Sequence, residues 1–135
     1  MDLPTAIAYV SERNRGVLTT QKRDGRPQLS NVMYGVGDDG LIRISITADR
    51  AKAKNLERDP RASLHVTADD FWSYVVVEAD AELSPVAAAV DDATVEELVD
   101  LYRAGAGEHP DWDEYRDAMV GDRRLVVRLR PVHAY

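Results

Sequence analysis

The sequence contains no cysteine and no long hydrophobic run, and its basic residues are outnumbered by acidic ones. Without cysteine, the chain has no disulfide, no thiolate nucleophile and no thiolate ligand for a metal. Since no apolar run could cross a bilayer, we expect no membrane partner. With 17 Lys and Arg against 24 Asp and Glu, the formal net charge is −7. This charge is unfavourable for binding a phosphate backbone, so we expect no nucleic-acid partner.

Length and composition are those of an ordinary globular protein. The chain has 135 residues, of which 44% are hydrophobic and 30% charged, so we expect residues 1–135 to form a single domain. The first ten residues, MDLPTAIAYV, contain no Lys or Arg and therefore lack the basic start of a secretory signal. A cytoplasmic location is consistent with this start and with the missing cysteines.

Six segments have the composition of β-strands. Three come consecutively near the N-terminus, and turns containing Asp-Gly pairs separate them, which predicts three consecutive antiparallel strands. Their sequences are GVLTTQK, PQLSNVMYGV and LIRISIT; the later segments are ASLHVTA, YVVVEADAELS and RRLVVRLRPVHAY. Four other segments have helical patterns: TAIAYVSER, AKAKNLERD, the run through Val95 and Leu98, and DWDEYRDAMVG. The predicted fold is mainly β (α+β), an antiparallel six-stranded sheet or barrel with peripheral helices.

Helix ends can also be predicted from local sequence. Asp59-Pro60 should end the second helix, because the residue before proline is disfavoured in helical geometry. Thr94 and Glu97 have the spacing of a capping box, which predicts that Thr94 is the N-cap of the third helix.

Several motifs for catalysis are absent or weak. Gly35, Gly37 and Gly40 match the spacing of a dinucleotide-binding loop, but that loop must lead into a helix, whereas LIRISIT alternates like a strand. A hairpin turn is the better interpretation. The three histidines lie far apart in the sequence and there is no G-x-S-x-G motif, so we predict neither a metal site nor a serine nucleophile.

The stretch SITADRAKAKNLERDP, Ser45 to Pro60, carries an unusual group of cations. If Asp49 is the N-cap of the following helix, Arg50 and Lys52 lie in its first turn. The helix dipole disfavours positive side chains there, but free N–H groups and two cations together suit a phosphate. Ser45, on the preceding strand, could add a hydroxyl. The alternative is a solvated helix that tolerates an unfavourable start, and the residues alone leave both interpretations open.

Aromatic residues are concentrated at the start of the fifth predicted strand. Phe71, Trp72 and Tyr74 occur together in DDFWSYVVV, and Trp72 and Tyr74 share a face. Such a pair can flank a planar ligand, although packing in a core or a dimer interface is the commoner use.

The combined pattern resembles a known family. The segments that carry the resemblance are GVLTTQKRDGRPQLSNVMYGV, ISITADRAKAKNLERDPRASLHV and DDFWSYVVVEADAELSP. They look like the flavin/deazaflavin oxidoreductases of the pyridoxamine 5'-phosphate oxidase-like, FMN-binding split β-barrel superfamily. The resemblance extends over nearly the whole chain and is greatest to the actinobacterial FDOR-B branch, which uses coenzyme F420, an 8-hydroxy-5-deazaflavin. Its most specific part is R-A-K-x-x-N-L-x-R-D-P, Arg50 to Pro60.

This resemblance implies a split β-barrel homodimer with two cofactor sites at the subunit interface. Arg50 and Lys52 would hold the coenzyme's phosphate, with Ala51 between them and with Ser45 and Ile46 on the strand that leads there. The deazaflavin ring would lie along Leu29, Ser30, Asn31, Val32 and Met33. Trp72, from the partner subunit, would help to close the pocket. Asn55 matches the motif but is expected to stabilise the turn, and Lys54 is expected to point to solvent or to the coenzyme's acidic tail.

The activity that the resemblance implies is hydride transfer from reduced coenzyme F420 to a small conjugated organic substrate. The sequence indicates no catalytic residue, which is consistent with a cofactor that carries out the chemistry itself. Two alternatives remain open at this point. The protein could be an FMN-dependent oxidase or reductase, since FMN also carries a phosphate, or a non-catalytic deazaflavin-binding protein.

Overall fold

The computed structural model describes all 135 residues and contains four helices and seven strands. In chain order the elements are α1 (Leu3–Ser11), β1 (Arg15–Gln21), β2 (Pro27–Met33), β3 (Gly35–Val36), β4 (Ile42–Thr47), α2 (Ala51–Arg58), β5 (Arg61–Thr67), β6 (Tyr74–Leu83), α3 (Ala93–Ala106), α4 (Trp112–Gly121) and β7 (Arg124–Ala134). None of the helices is both long enough and apolar enough to span a membrane.

The strands form one curled antiparallel sheet in the order β2-β1-β5-β6-β7-β4-β3. Hairpins connect β1 to β2 and β3 to β4, as the two Asp-Gly turns predict. A further hairpin connects β5 to β6, and β7 lies between β6 and β4. The prediction of an α+β fold with peripheral helices is confirmed. The predicted strand number, six, is wrong, because the segment PQLSNVMYGV forms two strands.

Tyr34 separates these two strands and ends the predicted run of three consecutive paired strands. Its backbone N–H donates to Asn14 O at 3.0 Å and its phenol donates to Val10 O at 2.7 Å. The Tyr34 side chain is buried, and this burial raises the pKa of its phenol. The chain therefore bends at Tyr34, so that β2 forms one edge of the sheet and β3 forms the other. β2 and β4 form no backbone ladder with each other, contrary to the prediction.

Most of the core lies on one face of the sheet, in a cluster of twenty buried residues. Strand residues such as Leu18, Ile44, Leu64 and Val127 pack there with buried residues of α1 and α2. A second cluster of six lies under α3 and α4, where Val126 of β7 meets Leu98 and Met119. Neighbouring residues of a strand point to opposite sides of the sheet. The helices α3 and α4 therefore cover the face of β4 and β7 that is opposite to the larger cluster.

An ion network attaches α3 to this face. Glu97 Oε1 accepts a hydrogen bond from Arg128 at 2.6 Å, and its Oε2 accepts one from Arg43 at 2.8 Å. These contacts lower the pKa of the Glu97 carboxyl group. The predicted capping box is wrong: Asp92 is the N-cap of α3 and accepts from Val95 N, while Thr94 donates to Pro85 O.

Candidate functional site

A cavity of about 530 Å³ lies between β2, β4 and the helices α3 and α4. It is large enough for a drug-sized ligand or a cofactor ring. Ten of its 18 lining residues are hydrophobic, and its cations are confined to one end. The lining residues are Asn14, Asn31, Val32, Met33, Tyr34, Ile44, Ser45, Ile46, Thr47, Arg50, Lys52, Leu101, Tyr102, Gly105, Ala106, Tyr115, Met119 and Arg124.

The cationic end lies where β4 stops and α2 begins. Arg50 and Lys52 reach it from the start of α2, Ser45 from β4, and Arg124 from the first residue of β7, which pairs with Thr47. The predicted N-cap is wrong, because Arg50 and not Asp49 occupies that position, without a side-chain capping bond. The first turn of α2 contains no acidic residue. The carboxylate of Asp49, just before the N-cap, is near enough for the charge of Arg50 to help lower its pKa, but it forms no ion pair with Arg50 or Lys52.

Two backbone donors at the start of α2 are also free. The N–H groups of Ala51 and Lys52 donate to no protein atom, and the first amide to do so within the helix is that of Ala53, to Arg50 O. The helix dipole adds partial positive charge at the same place. Such an arrangement suits an anion with several acceptor oxygens, such as a phosphate.

The charges at this end of the cavity repel one another. The pKa of the Lys52 amine is lowered, first by partial burial and then by the positive charges of Arg50 and Arg124. No carboxylate forms an ion pair with Lys52 or Arg50. A bound anion would oppose both effects, because it stabilises the protonated amine.

The apolar part of the cavity has two walls. Asn31, Val32 and Met33 of β2 form one side together with Ile44 and Ile46 of β4. Across from them, α3 and α4 contribute Leu101, Tyr102, Tyr115 and Met119. The phenol of Tyr115 donates to Leu98 O at 3.0 Å, which fixes its ring at the wall. The shape and apolar lining fit a planar ring whose charged group lies at the cationic end.

Seven of the eleven residues that the sequence predicts for a cofactor site line this cavity: Asn31, Val32, Met33, Ser45, Ile46, Arg50 and Lys52. The other four do not. Leu29 and Ser30 lie earlier on β2, Ala51 contributes its free amide rather than its side chain, and Trp72 lies in the turn before β6 with 81% of its surface exposed. Trp72 is therefore not part of the cavity.

Sequence reasoning missed Arg124 and the residues of α3 and α4. The helical pattern around Leu101 and Met119 indicated only packing, and no local signal showed that these helices also form a cavity wall. Arg124 lies 79 residues from Ser45 in the sequence, and only the pairing of β4 with β7 brings them together.

Asn55 lies outside the cavity lining, and it attaches α2 to the sheet rather than stabilising the turn before the helix. The Asn55 side chain is buried, and its Nδ2 donates to Thr20 and Gln28 at 3.0 Å each, so it fixes α2 to the sheet. Lys54 is exposed and does not line the cavity.

Comparison with known proteins gives matches over nearly the whole chain. A family model described as pyridoxamine 5'-phosphate oxidase matches residues 4–135. A conserved hypothetical protein from Mycobacterium tuberculosis is 27% identical, with a TM-score of 0.76, and the match covers 99% of this chain and 82% of that one.

Two further solved structures share the fold at lower identity. A protein named F420 reductase is 24% identical, with a TM-score of 0.66 and 94% of each chain covered. The heme storage protein of Vibrio cholerae is 20% identical, with a TM-score of 0.71 and coverage of 100% and 94%. Proteins with different named ligands therefore share this architecture, and the ligand of this chain must be argued from its own residues.

Proposed function

Because the chain belongs to the pyridoxamine 5'-phosphate oxidase family, we propose that its cavity binds coenzyme F420 and that the protein is an F420-dependent oxidoreductase. The reduced deazaflavin would supply a hydride to a small conjugated organic substrate. The observation that carries this proposal is the cationic end of the cavity, where Arg50, Lys52 and Arg124 have no carboxylate of the protein within hydrogen-bonding distance.

The residues present fit such a coenzyme. Lys52 and Arg50, with the free amides of α2 and the Ser45 hydroxyl, would hold its phosphate. The backbone of β2 at Val32 and of β4 at Ile46, whose side chains are buried in the core, would border the ring, and Asn31 would offer a polar side chain at its edge. The chain's contribution is binding and orientation, and positioning alone can lower a barrier by roughly 7 to 11 kcal/mol in favourable cases. This is consistent with the lack of a recognisable catalytic motif in the sequence.

We further propose that the protein is a homodimer that buries one face of the sheet. Leu29, Met33, Tyr74 and Tyr135 are all at least half exposed, and the strand register places them on the same face. Exposed apolar surface of this kind is typical of an interface. Asn31, Val32 and Met33 line both the cavity and a shallow depression on this face. A second subunit would therefore complete the cavity, and its Trp72 could close it.

FMN remains the second candidate cofactor, because its phosphate fits the same cationic end. Titrating the purified protein with coenzyme F420 and with FMN, followed by fluorescence, separates the two. We expect tight binding of the deazaflavin. Nanomolar binding of FMN without binding of the deazaflavin would overturn the proposal. Hemin belongs in the same titration because one relative is a heme storage protein, and binding of hemin alone would also contradict it.

Catalysis needs a separate measurement, because a non-catalytic carrier would bind the coenzyme equally well. Reduced coenzyme F420 is mixed with the protein and a panel of enones and quinones, and its absorbance is followed as it is oxidised. We expect oxidation above the protein-free rate with at least one substrate. Tight binding without turnover on the whole panel would favour the carrier.

A further inference from the structure

Arginines occupy both ends of one face of the β4–β7 ladder. At one end, Arg43 pairs in register with Arg128, and the carboxylate of Glu97 lies between their guanidinium groups. At the other end, Arg124 pairs with Thr47, two residues beyond the pair of Ser45 with Val126. The protein thus provides a carboxylate at the first end of this face.

At the second end no carboxylate is close enough to hydrogen-bond. The nearest one to Arg124 is Asp122, whose Oδ2 is 3.9 Å from Nε. That Nε is buried and has no hydrogen-bond partner, and Nη1 has only a long contact of 3.4 Å to Ser45 Oγ. The Arg124 side chain is only 32% exposed, so water compensates the charge only in part. Leaving a buried donor unpaired is unfavourable, because the donor loses its hydrogen bonds to water and gains none in return.

The other half-buried arginines are all better satisfied. Arg43 and Arg128 share Glu97, and Arg116 binds Glu96. Arg13 lies 3.8 Å above the Tyr9 ring and donates to Tyr9 O at 3.1 Å. Arg124 is therefore an exception among the half-buried arginines.

The charge of Arg124 also acts on Lys52. It is one of the two positive charges that lower the pKa of the Lys52 amine. Two partly desolvated cations that repel each other across a cavity are unfavourable unless an anion lies between them. Both side chains line the same cavity, so one ligand could reach both.

We propose that Arg124 is a third cationic ligand of the coenzyme's phosphate, alongside Arg50 and Lys52, and that its guanidinium group makes no hydrogen bond to a protein carboxylate because it serves this anion. The inference deepens the proposed function and rests on it for the identity of the coenzyme. The anion site itself, formed by Arg124, Lys52, Arg50 and Ser45, can be tested without the coenzyme.

The first test measures binding to Arg124→Gln and Arg124→Lys. The matched control is Arg130→Gln, an exposed arginine of the same strand that forms no ion pair and does not line the cavity. The probes are inorganic phosphate and coenzyme F420, each followed by calorimetry. We expect Arg124→Gln to weaken both by about tenfold or more, as for loss of a hydrogen bond between charged groups. Arg124→Lys should retain part of the affinity, and Arg130→Gln all of it.

The second test needs no ligand. The pH dependence of acetylation at Lys52, followed by mass spectrometry, reports the pKa of its amine. We expect this pKa to rise in Arg124→Gln, because a neighbouring positive charge is removed, and to stay unchanged in Arg130→Gln. A circular dichroism melt of each variant checks that the fold is intact.

The outcomes separate this inference from the proposed function. If phosphate binds in an Arg124-dependent way but coenzyme F420 does not bind, the role of Arg124 stands and the coenzyme is wrong. If the coenzyme binds Arg124→Gln as tightly as Arg130→Gln, or if the Lys52 pKa is the same in both, Arg124 is not a ligand while the proposed function stands. If neither probe binds the unmodified protein, both are overturned.

Discussion

The side-chain amide of Asn55 donates a hydrogen bond to the hydroxyl of Thr20, with a distance of 3.0 Å between Nδ2 and Oγ1. Both residues are buried, and only 1% of the Thr20 surface is exposed. The Asn55 Nδ2 also donates to Gln28. The bond connects α2 to β1. Arg50 and Lys52 lie at the start of α2. The Asn55 hydrogen bond therefore helps to fix the position of these two cations relative to the sheet.

Asn55→Ala should lower the free energy of unfolding by about 1 to 3 kcal/mol, because it leaves the buried Thr20 hydroxyl without its partner. Urea denaturation followed by circular dichroism measures the change. Lys54→Ala, an exposed neighbour in the same helix, is the control and should unfold at nearly the same urea concentration as the unmodified protein. Equal midpoints for both variants would show that the Asn55 bond does not support α2.

Lys52→Ala should weaken coenzyme F420 binding by about 1.5 to 3 kcal/mol if a charge-assisted hydrogen bond to the phosphate is lost. Fluorescence titration gives the affinity. The control is Lys22→Ala, in the exposed turn between β1 and β2, which should bind like the unmodified protein. Unchanged affinity in Lys52→Ala would remove Lys52 from the site.

Glu97→Gln should destabilise the protein by about 1 to 3 kcal/mol near neutral pH, because Arg43 and Arg128 lose a shared charged acceptor. The pKa of Glu97 is lowered in the folded protein, chiefly by its hydrogen bond from Arg128. Its stabilisation is thus fully present above the unfolded value of about 4.3 and is lost as pH falls through the lower folded value. Chemical denaturation between pH 7 and pH 3 should show that the free energy of unfolding falls less with decreasing pH in Glu97→Gln than in the unmodified protein. An identical fall in both proteins would contradict this prediction.

Gly16→Ala should destabilise β1. A Cβ at Gly16 would lie 2.9 Å from His65 O on the neighbouring strand and 2.9 Å from Leu64 Cδ1. The His65 carbonyl belongs to the backbone of β5, so it cannot shift without distorting the sheet. We expect a loss of about 1 to 3 kcal/mol, as for other overpacked sites, measured by thermal unfolding. Gly121→Ala, at the end of α4 with no atom near the added Cβ, should unfold at the same temperature or higher.

Leu29→Asp should disrupt the proposed dimer, because it places a charge on the exposed apolar face of the sheet. We expect the unmodified protein to sediment at twice the 15.0 kDa mass of one chain and Leu29→Asp to sediment as a single chain. Val90→Asp changes an equally apolar exposed residue away from that face and should leave the dimer intact. A monomer for the unmodified protein would rule out the dimer at the concentration used.

The features predicted correctly from the sequence are those that depend on neighbouring residues. The Asp24-Gly25 turn gives the β1–β2 hairpin, and Asp59 ends α2 before Pro60 as expected. Arg50 and Lys52 could be predicted to lie together because they are near neighbours at the start of one helix. Arg124 could not, since its approach to Ser45 depends on the pairing of two distant strands.

The bend at Tyr34 was also not predicted. Gly35 follows it directly, but an isolated glycine within a strand-like run more often marks a bulge or a close backbone approach than the end of a strand. Tyr34 is held in place by bonds to Val10 and Asn14, which lie far from it in the sequence. Local pattern cannot reveal an anchor of this kind, and the error in strand number follows from it.

The shortness of β3 has a chemical consequence for the cavity. β3 covers only the first residues of β4, so β4 from Ile44 to Thr47 has no strand on that side, and β2 likewise pairs only with β1. Both unpaired edges border the cavity, where Asn31 to Met33 and Ile44 to Thr47 are lining residues. A flat heterocycle inserted between them would meet main-chain donors and acceptors on two sides. A ring with alternating carbonyl and N–H groups could then be recognised by the backbone itself, a mode of recognition that side-chain substitutions would largely leave intact.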